Sequence, residues 1–163
     1  MDRMWSPWRY RYIKEGGARD GCVFCTIGSA SAEQDEENLV VLRAEHNFIV
    51  LNRYPYTSGH AMVIPYQHWG TLAEATVPAL EEMMRLTQRL ETALGNQYRP
   101  EGVNIGMNVG KAAGAGVAGH IHMHALPRWV ADSNFITTIG ETRVLPEDLD
   151  QTWRKLSSEL GGQ

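Results

Sequence analysis

Residues 120–126 read His-Ile-His-Met-His-Ala-Leu, a strict alternation of imidazole and apolar side chains that fits an extended strand. Successive side chains of a strand point to opposite faces, so His120, His122 and His124 are expected on one side and Ile121, Met123 and Ala125 on the other. Neighbouring rings on such a face stand roughly 7 Å apart. Two bland readings compete with chemistry: a half-buried edge strand whose solvent face happens to be histidine, and a plain metal site. A structural zinc normally wants four converging ligands and no small-residue loop beside it.

The stretch before this strand, 109–119, is small-residue rich and carries Gly110, Gly114, Gly116 and Gly119. Glycines let backbone N–H groups come close to a ligand and form an anion-binding concavity, although they also serve a long hairpin connection. A cradle for phosphate beside a row of imidazoles points to phosphoryl chemistry.

The rest of the chain supplies a scaffold for that strand. Runs 39–43, 48–52 and 60–64 are β-rich and separated by turn-forming residues, which predicts consecutive antiparallel strands. Between residues 77 and 94, Leu80, Met83, Met84, Thr87, Leu90 and Leu94 recur every three or four positions, with Thr76 as N-cap, Pro78 in the first turn and Gly95 after the end, the pattern of one long amphipathic helix. Residues 102–108 predict the strand that pairs with 120–126. An extended, aromatic-anchored tail follows from Trp129, then a short helix over 147–160 entered from Pro146. Strands, one helix, then strands predict an α+β fold with an antiparallel sheet and helical cover on one face. The acidic, small-residue segment 28–38 has nothing to bury and reads as a mobile loop.

Length and composition suit one domain: the chain has 163 residues, 43% apolar and 21% charged. The expected division is an N-terminal arm with the mobile loop over 1–38, a catalytic core over 39–128 and a C-terminal tail over 129–163. A net charge of −4 offers no general basic field for a nucleic-acid partner, so an anionic ligand must meet a local site. Apolar runs are too short to span a membrane, and the aromatic, charged opening 1–13 is unlike a signal peptide, so a cytoplasmic protein is expected. The two cysteines form one Cys22-Val23-Phe24-Cys25 tetrad, a spacing suited to a metal or a redox pair; two ordinary free thiols are the alternative.

Three histidines at alternate positions, preceded by Asn108 and a Gly-rich stretch, resemble the signature of the histidine-triad superfamily. The likeness extends to Asn52-Arg53-Tyr54-Pro55-Tyr56-Thr57-Ser58-Gly59-His60, to Met62-Val63-Ile64-Pro65 and to His68. The opening Met4-Trp5-Ser6-Pro7-Trp8-Arg9-Tyr10, Pro127-Arg128-Trp129 and Asp132-Ser133-Asn134-Phe135 resemble the bacterial diadenosine tetraphosphate phosphorylase branch, related to the fragile-histidine-triad hydrolases. Gly119 departs from the pattern, since an acidic residue that orients the first histidine is expected there.

The resemblance implies a single histidine-triad domain in which His122 attacks the α-phosphorus and forms a nucleotidyl-histidine that a second acceptor resolves. A backbone carbonyl near Ala115 or Gly116 is expected to hold the other nitrogen of His122. His124 is to donate to a phosphate or leaving-group oxygen, His120 to complete the triad and His60 to buttress it. Asn52 is to bind ribose, while Asn108 and the backbone of Gly114, Ala115, Gly116 and Val117 stabilise phosphate charge. Lys111 and Arg128 are the cationic candidates for distal phosphates, and Asn134 with the Trp129 segment is to exclude water. Cys22, Cys25, His68 and His120 are the implied ligands of a structural zinc, with no organic cofactor. The implied activity is transfer of a nucleotidyl group from a diadenosine polyphosphate to phosphate, giving ADP and ATP from the tetraphosphate. Water as acceptor, a nucleoside phosphoramidate or other nucleotide-conjugate substrate, and a non-catalytic nucleotide-binding scaffold remain open. Homo-oligomers, dimers or larger, are implied as well.

Overall fold

A computed structural model of the protein describes residues 21–130, 132–133, 137, 139 and 145–161. The motif around Trp5 and Trp8, and Asn134 and Phe135 of the tail, lie outside the described residues.

Five strands form one antiparallel sheet in the order β1-β2-β3-β5-β4. They are β1 Val40–Arg43, β2 Asn47–Leu51, β3 Ala61–Pro65, β4 Gly102–Gly106 and β5 Met123–Arg128. Register assigns the faces. Val50 pairs with Met62 and Met62 with His124, so these three share one face with Phe48 and Ile64. Ile49, Leu51, Ala61, Val63 and Ala125 occupy the other, where Asn47 Nδ2 donates to the Ala79 carbonyl of the long helix at 3.0 Å.

That long helix, α3, spans Val77–Tyr98 and buries Ala79, Glu82, Met83, Leu86, Thr87, Leu90, Ala93 and Leu94 against β2, β3 and β5. The buried stripe follows the expected helical period, but Met84 falls on the solvent side, 56% exposed. Nor does the helix stop at Gly95. It runs three residues further, since Asn96 and Gln97 donate to Glu159 at 2.7 and 2.8 Å and Tyr98 Oη donates to Glu147 at 2.7 Å. Arg99, at φ 46°, closes it by donating its N–H to the Gly95 carbonyl, and Pro100 cannot continue a helix. Glu159 belongs to α4, Leu149–Gly161, which packs on α3 and β1 through Thr152, Leu156 and Leu160. Asp148, not Pro146, begins α4: its side chain accepts the Gln151 N–H at 2.7 Å, an N-cap bond.

The segment 28–38 is structured, contrary to the mobile loop expected. Gly28 and Ser29 end helix α1, Val23–Ser29; a 3₁₀ turn, Ala32–Gln34, and helix α2, Asp35–Asn38, follow. Arg43 supplies what composition could not reveal. Its guanidinium donates to Asp35 at 2.7 Å and to the Gly28 carbonyl at 2.9 Å, tying both helices to β1. Asp35, itself only partly exposed, compensates the Arg43 charge, and its neighbour Leu39 enters the core at φ 62°. Helices α3 and α4 thus cover one sheet face, and α1 approaches the other, where Phe48 lies 3.3 Å from the Cβ position of Gly28.

Candidate active site

An open cleft lies between α1, the sheet face carrying Val50, Met62 and His124, and the Gly-rich loop. Phe24, Ile27, Leu39 and Met62 give it an apolar wall; Asn52, Asn108, His122 and His124 supply polar groups. The combination suits a ligand with a flat apolar part and a charged part.

The histidine row keeps to the α1 side, as alternation demanded, but the ladder includes only part of it. β5 begins at Met123; before that, the Ile121 N–H donates to the Trp69 carbonyl at 2.7 Å and the chain leaves the sheet. The rings of His122 and His124 consequently close to 4.9 Å between centroids instead of the spacing of a regular strand. His120 turns toward the cysteines.

Hydrogen bonding settles which nitrogens carry protons. His122 Nδ1 stands 2.8 Å from the His120 carbonyl, which can only accept, so Nδ1 holds the proton and Nε2 keeps its lone pair. The expected acceptor near Ala115 or Gly116 is replaced by this carbonyl two residues away. His60 Nδ1 accepts the Tyr56 N–H at 3.1 Å and faces Asn52 Nδ2 at 3.4 Å, so a neutral His60 carries its proton on Nε2. That nitrogen lies 2.9 Å from His124 Nδ1. His124 therefore accepts at Nδ1 and bears its proton on Nε2.

Burial enforces neutrality. Removed from water and set beside His124 and His122, His60 is pushed down to about 3. Burial, with His122 next to it, lowers His124 to about 4. Burial lowers His122 too, opposed by its bond to the His120 carbonyl. The site presents one lone pair and one N–H donor, both neutral at physiological pH.

Asn52 has its Oδ1 engaged by the Tyr54 N–H at 2.9 Å, which fixes the amide with Nδ2 toward His60 and leaves a second Nδ2 proton to donate. In the Gly-rich loop, Gly114 N–H donates to Lys111 O at 3.0 Å and Ala115 N–H to Gly110 O at 3.3 Å, closing a 3₁₀ turn. Those two amides are spent within the loop. Gly116 and Val117 N–H have no acceptor among the described residues, so the available donors are fewer than the whole run from Gly114 to Val117. Arg128 is not a cleft residue: Asp132 and Asn104 hold its guanidinium, the latter at 2.7 Å. Lys111 is exposed in the 3₁₀ turn, away from the lining. Arg53 lines the cleft instead.

Cys22, Cys25, His68 and His120 converge with their ligand atoms all within 4.8 Å of one another. Cys22 Sγ is 3.3 Å and Cys25 Sγ 3.6 Å from His120 Nδ1, and Cys25 Sγ is 3.3 Å from His68 Nδ1. Ordinary Zn–S and Zn–N bonds at tetrahedral angles put such atoms about 3.5 Å apart. His120 Nε2 donates to the Pro65 carbonyl at 2.8 Å, leaving Nδ1 as a lone pair aimed at the thiols. Two thiols and two imidazoles so arranged fit a tetrahedral zinc. This carbonyl also answers the departure at Gly119: His120 is oriented from Pro65, and Gly119 packs against His68, whose Nε2 is 3.4 Å from its Cβ position.

Tyr56 and Phe24 are among the cleft residues to which the sequence alone assigned no role. Tyr56 stacks on His124 with ring centroids 6.2 Å apart and lies 4.6 Å from His60. Phe24 touches both His120 and His122. Its position inside the cysteine tetrad, apolar between two candidate ligands, was the available signal.

An antiparallel sheet backed by a long helix, with a neutral imidazole pair facing an apolar cleft, defines a small α+β protein built around its histidine row. The HIT-domain family model matches residues 33–130, and the chain belongs to the HIT family. The AP-4-A phosphorylase of Mycobacterium tuberculosis is 39% identical over 171 residues, covering 100% of this chain and 86% of that protein. A Zn-bound histidine triad family protein from Mycobacterium smegmatis superposes with a TM-score of 0.69 at 30% identity, over 87% of this chain and 94% of that one. A member of the HIT family from Bacillus subtilis gives a TM-score of 0.60 at 25% identity, over 88% and 97% of the respective chains.

Proposed function

We propose that the protein splits diadenosine polyphosphates by nucleotidyl transfer through His122, with inorganic phosphate as the favoured acceptor. The observation that carries this reading is the bond from His122 Nδ1 to the His120 carbonyl, which leaves Nε2 as an unprotonated nucleophile beside the cleft. The name of the Mycobacterium tuberculosis relative supports the choice of substrate and acceptor.

In the first step the Nε2 lone pair forms a bond to the α-phosphorus while the bond to the bridging oxygen breaks, and ATP departs from diadenosine tetraphosphate. The His120 carbonyl, already accepting from Nδ1, stabilises the positive charge that develops on the ring. His124 donates from Nε2 to a non-bridging or leaving oxygen, backed by His60. Asn108 and the Gly116 and Val117 amides offer further donors to the spreading phosphate charge, and loss of one such donor raises the barrier by roughly 3 kcal/mol. Asn52 holds the ribose, and Arg53 is the cation beside the polyphosphate. In the second step a phosphate oxygen attacks the phosphoramidate, giving ADP and restoring His122.

A zinc ion would be held by Cys22, Cys25, His68 and His120 and would supply structural cross-linking there. The Zn-bound relative supports that assignment.

The test is product analysis of diadenosine tetraphosphate incubated with the protein, with and without inorganic phosphate. ADP plus ATP appearing only with phosphate is the expected result. AMP plus ATP regardless of phosphate makes water the acceptor. No product, or undiminished turnover by His122→Ala, overturns the reading in favour of a different nucleotide conjugate or a binding role.

A further inference from the structure

Helix α1 belongs to two sites at once. Cys22 and Cys25, at its N-terminal end, face His68 and His120, while Val23, Phe24 and Ile27 line the cleft. Phe24 is 6% exposed, with its ring 5.6 Å from His120, edge to face, and 5.0 Å from His122. A second path runs through His120 itself, whose ring faces the thiols and whose carbonyl accepts from His122 Nδ1.

The helix cannot hold this position unaided. It has seven residues, too few to be stable alone, and Cys22 at its N-cap makes no side-chain capping bond. Arg43 anchors the C-terminal end through the Gly28 carbonyl at 2.9 Å and the Ile27 carbonyl at 3.4 Å. Among the described residues, the cysteine–histidine cluster is the polar side-chain anchor at the opposite end.

We propose that Phe24 couples the Cys22/Cys25/His68/His120 centre to nucleotide binding: ligation of the four side chains holds Phe24 against His122 and the Val23, Phe24 and Ile27 wall across the cleft, so that metal and nucleotide strengthen each other's binding. Phe24 is a positioning residue in this scheme. The inference rests on the zinc reading given above. Coupling between two binding sites is reciprocal, so a nucleotide that packs against Phe24 must tighten the metal by the factor by which the metal tightens the nucleotide.

The experiment measures zinc affinity of the full-length protein by equilibrium competition with a chromophoric chelator, in the absence and presence of saturating AMP. Wild type, Phe24→Ala and Phe24→Leu are compared, after elemental analysis of the zinc-loaded proteins. AMP is expected to tighten zinc at least tenfold in wild type. Phe24→Leu, which keeps an apolar side chain of similar reach, retains most of that factor, and Phe24→Ala reduces it to twofold or less while still binding both ligands.

Zinc bound at one equivalent with an affinity indifferent to AMP in wild type overturns the coupling and leaves the zinc reading intact. An undiminished AMP effect in Phe24→Ala removes Phe24 as the coupler. Failure to bind zinc at all overturns both readings, and failure to bind AMP overturns the nucleotide reading with the coupling. If Phe24→Ala does not fold, wild type still decides whether zinc and AMP are coupled, and Phe24→Val, which lacks the reach of phenylalanine, takes the place of the alanine variant: an undiminished AMP effect there removes Phe24 as the coupler.

Discussion

His60 Nε2 lies 2.9 Å from His124 Nδ1, and the Tyr56 amide occupies the opposite nitrogen of His60, so the pair has one neutral proton arrangement. Replacing His60 by alanine frees His124 to turn and to take the wrong tautomer, with its proton on the nitrogen facing away from substrate. His60→Ala is expected to lower kcat for diadenosine tetraphosphate about 10–100-fold with little change in KM, as for other orienting partners one layer behind a reacting group. Steady-state kinetics, with circular dichroism as the check on folding, measure it. A kcat within twofold of wild type contradicts the orienting role.

The same pair makes stability fall in acid. Both pKa values are depressed in the folded protein, His60 to about 3 and His124 to about 4, against about 6.5 in an unfolded chain. Below about 6.5 the unfolded chain takes up protons that the native state refuses, so the contribution of these groups is present above that pH and is lost as pH falls toward their native values. The unfolding free energy from urea denaturation is expected to decline steadily between pH 7 and pH 4, each of the two groups contributing on the order of 3 kcal/mol. The slope flattens in a His60→Phe variant that still folds. A midpoint independent of pH over that interval contradicts the buried neutral pair.

Gly59 adopts φ +81°, and a Cβ there meets Leu94, Pro127 and Tyr98 atoms at 3.1 Å. Gly59→Ala therefore combines a left-handed backbone with crowding by the long helix and β5. The expected loss is about 2–3 kcal/mol in unfolding free energy, together with reduced activity, because His60 is the next residue. Urea denaturation checks the first part, and unchanged stability contradicts the packing described.

Glu82 sits on the buried face of α3 and accepts from Glu45 N–H at 3.1 Å, His46 N–H at 2.8 Å and Asn47 Nδ2 at 2.8 Å. Removing this acceptor strands donors at the β1–β2 turn, so Glu82→Ala is expected to destabilise by about 3 kcal/mol, and Glu82→Gln by less. Denaturation midpoints of the two variants against wild type provide the measurement. Equal effects of the two substitutions contradict an acceptor role.

Much of the fold was legible because its signals are local. The apolar period of α3, the β-rich runs that became β1 to β3, and the alternation at 120–126 each depend on residues a few positions apart. Boundaries were less so: α3 passes Gly95 because residues on α4 reward its extra turn, and 28–38 is ordered because Arg43 reaches back to Asp35 and Gly28. Arg128 looked available for phosphates only until Asp132 and Asn104 were placed against it.

The sequence by itself determined that three imidazoles would follow one another along one side of an extended segment beside a loop of small residues, since side-chain direction in an extended chain is a matter of neighbouring dihedral angles. What only the tertiary structure decided was the division of labour among them. His120 goes to thiols, one of them 98 positions away in sequence, His122 receives its tautomer from a carbonyl, and His124 receives its own from His60. Protonation state and orientation depend on burial and on partners brought together by folding, and no local pattern encodes either.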